Sequence, residues 1–229
     1  MMIAVLEAFE MRGSPIYREV EVCGVNYLIL DWPQVEELSY TMDDRLEAKV
    51  LQRFGLSLND IRRDTLIVGI KRWGDLVANH LSDAFGIREV RSLGIRSYNK
   101  DFKRGPLEIY QTLDLGANPA DYKLAILVDG IVDSGNTLVH ALDVLGQDIH
   151  TVISASLLVK SHANTLPDVY GDLIDSRLWV AFPWEKVEIT RKLVNDLRTS
   201  DHSDDECIRI IRDEFGYDRR VLEKGLPSA

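Results

Sequence analysis

The chain has few of the residues that build disulfide frameworks, metal clusters or nucleic-acid surfaces. It contains two cysteines, Cys23 and Cys207, in 229 residues, and so small a number suggests neither a disulfide framework nor a catalytic thiol. Its five histidines show no spacing typical of zinc ligands. Lysine and arginine total 27 against 37 aspartates and glutamates, and the net charge of −10 argues against a nucleic-acid-binding surface.

Long apolar runs and internal repeats are also missing. No stretch approaches the roughly 18 consecutive apolar residues that a membrane-spanning helix needs. Residues 1–8 are too short, and too acidic in their flanks, for a secretory signal. With 45% hydrophobic residues, the chain can bury one good core. These properties predict a soluble cytoplasmic protein that binds neither membranes nor nucleic acid.

A segment just past the middle of the chain has the pattern of a buried strand, a tight loop and a helix. An apolar run stops at Asp129, a second acid (Asp133) opens a loop of small residues, and apolar residues at helical spacing follow. The backbone N–H groups of such a loop and of the helix N-terminus point at one spot, which suits a phosphate. Gly135 lets the backbone approach closely, while Ser134 and Thr137 offer hydroxyl donors.

This segment resembles the phosphoribosyl-pyrophosphate (PRPP) motif of the type I phosphoribosyltransferases. Those enzymes transfer ribose 5-phosphate from PRPP to a nitrogenous base and release pyrophosphate. By that resemblance Asp129 is the first strand-end acid, Asp133 is the loop acid, and Gly130 stands where the family has a second strand-end acid. The residues implied to bind the 5-phosphate are Ser134, Gly135, Asn136 and Thr137. A generic strand, loop and helix in which Asp133 only caps the helix is the alternative.

An upstream segment, residues 64–85, also has the pattern of a strand, a basic loop and a helix. Lys71, Arg72 and Gly74 resemble the family's pyrophosphate loop, with Trp73 in the place of its first glycine. Basic residues at a helix N-terminus form an anion site, although a solvated basic pair in an ordinary loop gives the same pattern. The resemblance implies that Lys71, Arg72 and Gly74 bind the pyrophosphate of PRPP.

Between these loops the sequence predicts another strand, residues 90–98, and then a polar, charged segment, residues 99–106, that is expected to be mobile. The family has a flexible lid at this place, often with a Ser-Tyr pair, which Ser97 and Tyr98 match. A closing lid would exclude water from a cationic sugar intermediate. The alternative is an exposed hairpin turn.

A downstream segment resembles the xanthine–guanine and hypoxanthine–guanine branch of the family. A predicted strand ends at Lys160, and a Trp-x-x-x-Pro-Trp-Glu run begins at Trp179. By that resemblance, Lys160 hydrogen-bonds the 6-oxo group and N7 side of a purine, and Trp179 stacks on its ring. Such contacts suit a 6-oxopurine and reject a 6-aminopurine. The alternative is that Trp179, Phe182 and Trp184 are core aromatics.

The resemblance therefore implies purine salvage, the transfer of the phosphoribosyl group to guanine, hypoxanthine or xanthine, without separating these bases. Mg²⁺ would organise PRPP with Asp129 as the nearby protein acid, and Asp133 would be the catalytic residue that takes or stabilises the proton at purine N7. A PRPP-, purine- or nucleotide-sensing regulator with little or no activity is the alternative. Such a regulator would more naturally lose Asp133, so its presence favours the enzyme.

The order of predicted elements indicates an α/β fold with a doubly wound, mainly parallel sheet. Residues 1–33 are expected to be an N-terminal extension that is part of a small hood. Residues 34–188 are expected to form the phosphoribosyltransferase-like core, with hood elements near 160–185, and residues 189–229 a helical C-terminal extension. A homodimer or higher homo-oligomer is expected.

The C-terminal extension is predicted to be helical. Residues 186–197 are amphipathic, and the run from Ser203 to Glu206 is a capping box that opens a helix, which Gly216 closes. Helical spacing alone does not decide whether the extension packs on the core, forms a dimer interface or binds a partner.

Overall fold

The computed structural model describes residues 17–98, 104–115 and 119–226 of the chain. In chain order, the strands and α-helices are β1 (Arg18–Val22), β2 (Val25–Ile29), α1 (Trp32–Phe54), α2 (Leu58–Ile61), β3 (Thr65–Ile70), α3 (Gly74–Phe85), β4 (Glu89–Tyr98), β5 (Arg104–Gln111), β6 (Leu124–Val132), α4 (Asn136–Leu145), β7 (Val152–Lys160), β8 (Val169–Ile174), β9 (Trp179–Ala181), α5 (Lys186–Thr199), α6 (Asp204–Phe215) and α7 (Arg219–Gly225). They form two compact units. The larger unit is residues 36–176, and the smaller unit comprises residues 17–35 and 177–226.

The larger unit contains a six-stranded sheet with the strand order β5-β4-β3-β6-β7-β8. Neighbouring strands are parallel from β4 to β8, and only β5 is antiparallel to its neighbour. The sequence did not predict strand β5. Its first residues, 104–106, belong to the segment that was expected to be mobile. The sheet confirms the predicted α/β class with a mainly parallel sheet.

The central strands are buried on both faces, which is why their sequences are nearly continuous apolar runs. Every residue of β3 is buried, and β6 and β7 are buried over most of their length. Helix α4 adds Leu138, Ala141 and Leu145 to the same hydrophobic cluster. Since the strands are parallel, the loops that follow β3, β6 and β7 leave the sheet at the same edge.

The smaller unit is built on a three-stranded sheet with the order β1-β2-β9. Strands β1 and β2 form an antiparallel hairpin, while β9 pairs in parallel with β2. Residues of α5, α6 and α7 share one hydrophobic cluster with Val22, Tyr27 and Ala181 of this sheet. The C-terminal helices thus pack on the small sheet that contains the N-terminal hairpin. The division of the chain at 33/34 and 188/189 stays a prediction.

Local signals at the ends of the C-terminal helices are confirmed. The Ser203 hydroxyl accepts the N–H of Glu206, and the Glu206 carboxylate accepts the N–H of Ser203 at 2.9 Å, which is the predicted capping box. Gly216 closes the helix with a φ of 67°, a conformation that favours glycine. None of the helices in the described residues is long and apolar enough to cross a membrane.

A histidine–aspartate contact joins α1 to α3 in the larger unit. His80 Nε2 lies 2.7 Å from Asp43 Oδ2, and the Asp43 side chain is largely buried. The hydrogen bond to Asp43 raises the pKa of His80 above its ordinary value of 6.5, against the opposing effect of burial. The charged imidazole is therefore more favourable in the folded protein than in the unfolded chain.

We expect this contact to make stability depend on pH. A raised pKa means that the contribution of His80 is complete below about pH 6.5 and is lost as the pH rises through the folded-state value. Relative to the wild type, His80→Gln should therefore lower the free energy of unfolding by urea at about pH 5.5 and much less at about pH 9. His150, which is exposed, gives the control His150→Gln. An equal loss at both pH values would contradict the prediction.

Candidate active site

The predicted phosphate loop connects β6 to α4. Strand β6 continues past Asp129 to Val132, so Asp129 lies within the strand and pairs with Ser156 of β7. The expectation that the strand ends at Asp129 was wrong, because the apolar residues Ile131 and Val132 continue the ladder. The three residues after the strand form the loop, and α4 begins at Asn136.

Two constraints make residue 135 a glycine. Its φ is 88°, which side chains rarely tolerate. A Cβ at this position would also lie 2.7 Å from the backbone oxygen of Thr165, so the following loop packs directly on the turn. The backbone N–H of Asn164 donates to the backbone carbonyl oxygen of Ser134 at 3.0 Å and holds the two loops together. Because α4 begins immediately afterwards, its N-terminal N–H groups and positive dipole end lie at this loop.

The predicted pyrophosphate loop follows β3. The Lys71–Arg72 peptide bond is cis, and the Arg72 guanidinium lies 4.6 Å from the centroid of the Trp73 ring. Helix α3 begins at Gly74, where a Cβ would collide with the backbone oxygen of Val128. The start of α3 therefore lies directly against β6, next to Asp129.

The two departures from the family pattern are neighbours in space. A Cβ built on Gly130 would lie 3.4 Å from the Cβ of Trp73, which, among the residues that the structure describes, is the only atom within 4 Å outside the adjacent residues. The position at which the family has a second acid therefore faces the tryptophan that replaces the family's first glycine. The missing carboxylate and the added indole belong to one local arrangement.

Asp129, the predicted metal-binding acid, lies next to the start of α3. Its Oδ1 accepts the N–H of Gly130 at 2.7 Å. Burial raises its pKa to about 7, although backbone N–H groups of Gly130 and Ile131 act in the opposite direction. Among residues 17–98, 104–115 and 119–226, no three His, Cys, Asp or Glu side chains form a metal cluster. One carboxylate that shares Mg²⁺ with substrate phosphates and water fits this arrangement.

Asp133, the predicted catalytic acid, contacts two basic side chains. Lys160 Nζ lies 3.4 Å and His162 Nε2 lies 3.0 Å from Asp133 Oδ1. The Lys160 side chain is 14% exposed and that of Asp133 is 24% exposed, so the pair is shielded from bulk water. The fold thus brings the predicted catalytic acid and the predicted base-binding lysine together.

Sequence reasoning gave no role to His162. Its position two residues after Lys160, at the carboxyl end of a strand next to β6, was the signal that could have placed it near the phosphate loop. The spacing of histidines along a sequence can indicate metal ligands, but it does not indicate a contact with a carboxylate on another element.

The remaining predicted residues are Trp179 and the Ser-Tyr pair of the predicted lid. Trp179 lies in the smaller unit, in β9, where Lys192 Nζ lies 4.9 Å from the centroid of its ring. Ser97 and Tyr98 end β4, but their side chains and residues 99–103 of the predicted lid lie outside the described part of the chain.

We expect Asp129→Asn to stabilise the ligand-free protein above pH 7. Because the folded state holds a proton on Asp129 that the unfolded chain releases near pH 4, this residue costs stability progressively from about pH 4 to about pH 7. An asparagine oxygen can still accept the Gly130 N–H. The Tm at pH 8 should rise by about 2–4 °C for each kcal/mol by which the substitution increases the free energy of unfolding. The difference in Tm between variant and wild type should shrink near pH 4. Asp143→Asn, at an exposed position of α4, is the control, and a lower Tm for Asp129→Asn at pH 8 would refute the expectation.

Comparison with known proteins identifies the family. The family model of the phosphoribosyl transferase domain matches residues 45–186. The xanthine-guanine phosphoribosyltransferase of Cereibacter sphaeroides is 29% identical over 121 residues, which cover 52% of this chain and 68% of that protein. The residues that the family model matches include both predicted loops, 71–74 and 133–137, and most of the larger unit.

Solved structures agree with this assignment. The xanthine-guanine-hypoxanthine phosphoribosyltransferase of Helicobacter pylori is 25% identical, with a TM-score of 0.50 over 76% of this chain and 98% of that chain. The purine phosphoribosyltransferase of Pyrococcus horikoshii, 22% identical, shares the fold with a TM-score of 0.52 over 68% of this chain and 91% of that chain. By its fold and by the family match, the chain belongs to the phosphoribosyltransferase family, and these relatives are purine phosphoribosyltransferases.

Proposed function

We propose that this protein transfers the 5-phosphoribosyl group from PRPP to a 6-oxopurine, namely guanine, hypoxanthine or xanthine, and releases pyrophosphate. The observation that carries the proposal is the contact of Asp133 with Lys160 at 3.4 Å. The acid of the phosphate loop and the lysine implied to bind the base would then serve one reacting centre. Similarity to proteins named for xanthine, guanine and hypoxanthine supports the choice of base.

PRPP would bind across the two loops at the carboxyl edge of the large sheet. The 5-phosphate would be held by Ser134, Gly135, Asn136 and Thr137, where hydroxyls, backbone N–H groups and the α4 N-terminus favour an anion. The pyrophosphate would contact Lys71, Arg72 and the backbone at Gly74, at the start of α3. Both loops lie against β6, so a single strand would position the two ends of the substrate.

A divalent metal ion would complete the pyrophosphate site. Mg²⁺ would neutralise the negative charge that develops on the leaving pyrophosphate, with Asp129 as its protein ligand. Binding would require the carboxylate form of Asp129, which burial disfavours in the free protein. Arg72, stacked on Trp73, would add a second positive charge on the leaving-group side.

Asp133 and Lys160 would act on the purine. The Lys160 ammonium would donate to the 6-oxo oxygen, and the Asp133 carboxylate would accept or stabilise the proton at N7 as the nucleophilic nitrogen attacks the sugar. Both groups would lie close to the loop that binds the 5-phosphate. They would accelerate the reaction by positioning and electrostatics, without a covalent enzyme intermediate. A 6-amino group would offer donors to Lys160 and leave the ammonium unpaired. A homodimer or higher homo-oligomer stays a prediction.

The direct test is turnover. The protein with PRPP and MgCl₂ should form the mononucleotide and pyrophosphate from at least one of guanine, hypoxanthine and xanthine, and not from adenine. Chelation of the metal with EDTA should abolish turnover, and added MgCl₂ should restore it. PRPP-dependent thermal stabilisation without nucleotide formation would instead indicate a sensor, and turnover of adenine alone would refute the choice of base.

We expect Asp133→Asn to separate binding from chemistry. The amide keeps the size of the side chain but loses the basic oxygen, so kcat should fall by about 10²–10⁴-fold while the Kd for PRPP changes little. Asp143→Asn, which makes the same change at an exposed position of α4, should leave kcat unaltered. Undiminished turnover in Asp133→Asn would remove this residue from the proposed role.

Lys160→Met should weaken the binding of the base more than the binding of PRPP. Loss of one hydrogen bond from a charged group costs about 1.5–3 kcal/mol, so KM for the 6-oxopurine should rise by roughly 10–100-fold with a smaller change for PRPP. Lys49 provides a matched control, because it makes an ion pair with Asp168 at the same distance of 3.4 Å. Lys49→Met should alter neither KM, and equal losses for both substrates in Lys160→Met would contradict the proposed contact.

A further inference from the structure

His162 contacts the proposed catalytic acid but has no part in the mechanism above. Its Nε2 lies 3.0 Å from Asp133 Oδ1, and Lys160 Nζ lies 3.4 Å from the same oxygen. Asp133 Oδ1 is itself buried, whereas the His162 side chain is 40% exposed. The imidazole therefore lies between an oxygen that is closed to solvent and the surface of the protein. All three residues belong to the larger unit.

Backbone hydrogen bonds on both sides of His162 hold its loop in place. The Ser161 N–H donates to the backbone oxygen of Ile174 at the end of β8, and the Ala163 N–H donates to that of Lys160, both at 2.9 Å. The second of these bonds closes a tight turn that contains His162. The same loop is joined to the phosphate loop by the backbone hydrogen bond described above. The fold therefore holds the backbone of the imidazole next to the loop that carries Asp133.

The proposed reaction releases one proton, which has to leave the site. The base loses an N–H proton when its nitrogen forms the bond to the sugar, and Asp133 is proposed to accept that proton at N7. An aspartate carboxylate has an ordinary pKa of about 3.9 and is therefore a weak base near neutral pH. General-base catalysis is most effective when the pKa of the acceptor lies near the working pH. A stronger base behind the carboxylate would therefore favour the transfer.

Lys160 and His162 both contact Asp133, and of these two the imidazole is the one that can accept this proton. The Lys160 ammonium has three donors and no acceptor, and it is proposed to bind the 6-oxo oxygen of the base. A neutral imidazole has one acceptor nitrogen, and histidine is the side chain whose ordinary change of charge falls nearest to neutral pH. The ring nitrogen that faces Asp133 is Nε2.

We propose that His162 accepts the proton that Asp133 takes from the base, so that Asp133 and His162 form a proton relay. The proposal rests on the function proposed above. As the nucleophilic nitrogen bonds to the sugar and the bond from the sugar to pyrophosphate breaks, the proton moves from N7 to Asp133 and from Asp133 Oδ1 to His162 Nε2. The imidazolium then gives up one proton to solvent, and exchange with water restores the starting tautomer. His162 acts through Asp133 and touches neither the base nor PRPP.

His162→Gln separates this relay from a positioning role. A glutamine amide can still donate to Asp133 but cannot take up a proton. The rate of nucleotide formation in a single turnover, which excludes product release, should fall by about tenfold or more, with the Kd for PRPP and the KM for the 6-oxopurine unchanged. His150→Gln, at an exposed position, should leave the rate unaltered. A His162→Gln rate equal to that of the wild type would show that the contact only positions Asp133 and would overturn the proposal.

Chemical rescue tests the proton transfer itself. His162→Ala removes the imidazole from a partly exposed position, so a free ring can enter the vacated space. Added imidazole should restore part of the single-turnover rate as its concentration rises, whereas pyrazole, a ring of the same size but a far weaker base, should not. The wild type and His150→Ala should respond to neither ring. Equal rescue by the two rings, or rescue by neither, would overturn the proposal.

The same measurements distinguish the relay from the proposed function. Nucleotide formation by the wild type together with an undiminished rate in His162→Gln would keep the proposed function and overturn only the relay. Absence of nucleotide formation by the wild type with guanine, hypoxanthine and xanthine would refute the proposed function, and the relay with it.

Discussion

The parallel pairing of β3, β6 and β7 is the constraint on which the candidate site depends. Parallel neighbours place the ends of successive strands at one edge of the sheet, so residues far apart in sequence leave the sheet together. Residues 71–74, 133–137 and 160–162 are collected in this way. Burial of the strands on both faces fixes their register, because a slip of one residue would exchange the two buried faces of a strand. The hydrophobic core thereby determines how closely Asp133 and Lys160 approach.

This chain departs from the family pattern at Gly130, which replaces an acid, and at Trp73, which replaces a glycine. The two residues are neighbours in space. A second acid at position 130 would have placed its side chain against Trp73, and a carboxylate there would also have raised the cost of ionising Asp129 further. With glycine at position 130, Asp129 is the single acid of these two adjacent positions, and burial already raises its pKa to about 7. In the proposed mechanism, the proton and the metal ion would compete for this one carboxylate. Arg72, which stacks on the Trp73 indole, would then provide more of the charge compensation for pyrophosphate.

The parts of the structure that the sequence predicts well are those determined by neighbouring residues. Apolar runs locate the central strands, and a capping box and a glycine locate the ends of α6, because the physical cause lies within a few residues in each case. The parallel pairing of β2 with β9 joins residues about 150 positions apart, and no local signal anticipates it. The contacts of His162 and Lys192 were missed for the same reason, since each has its partner on another element. Conversely, Asp133 and Lys160 were recognised as a resemblance, and only the fold shows that they are in contact.

The C-terminal helices make the small sheet part of a packed core. In the described residues, α5, α6 and α7 bury the sheet that contains β9, and Tyr27 and Phe215 meet with ring centroids 5.2 Å apart. A cluster of this kind makes β9 part of a packed core, so the backbone that carries Trp179 is more rigid than an exposed strand of three residues would be. The helices that follow the family match therefore stiffen a strand that lies inside it.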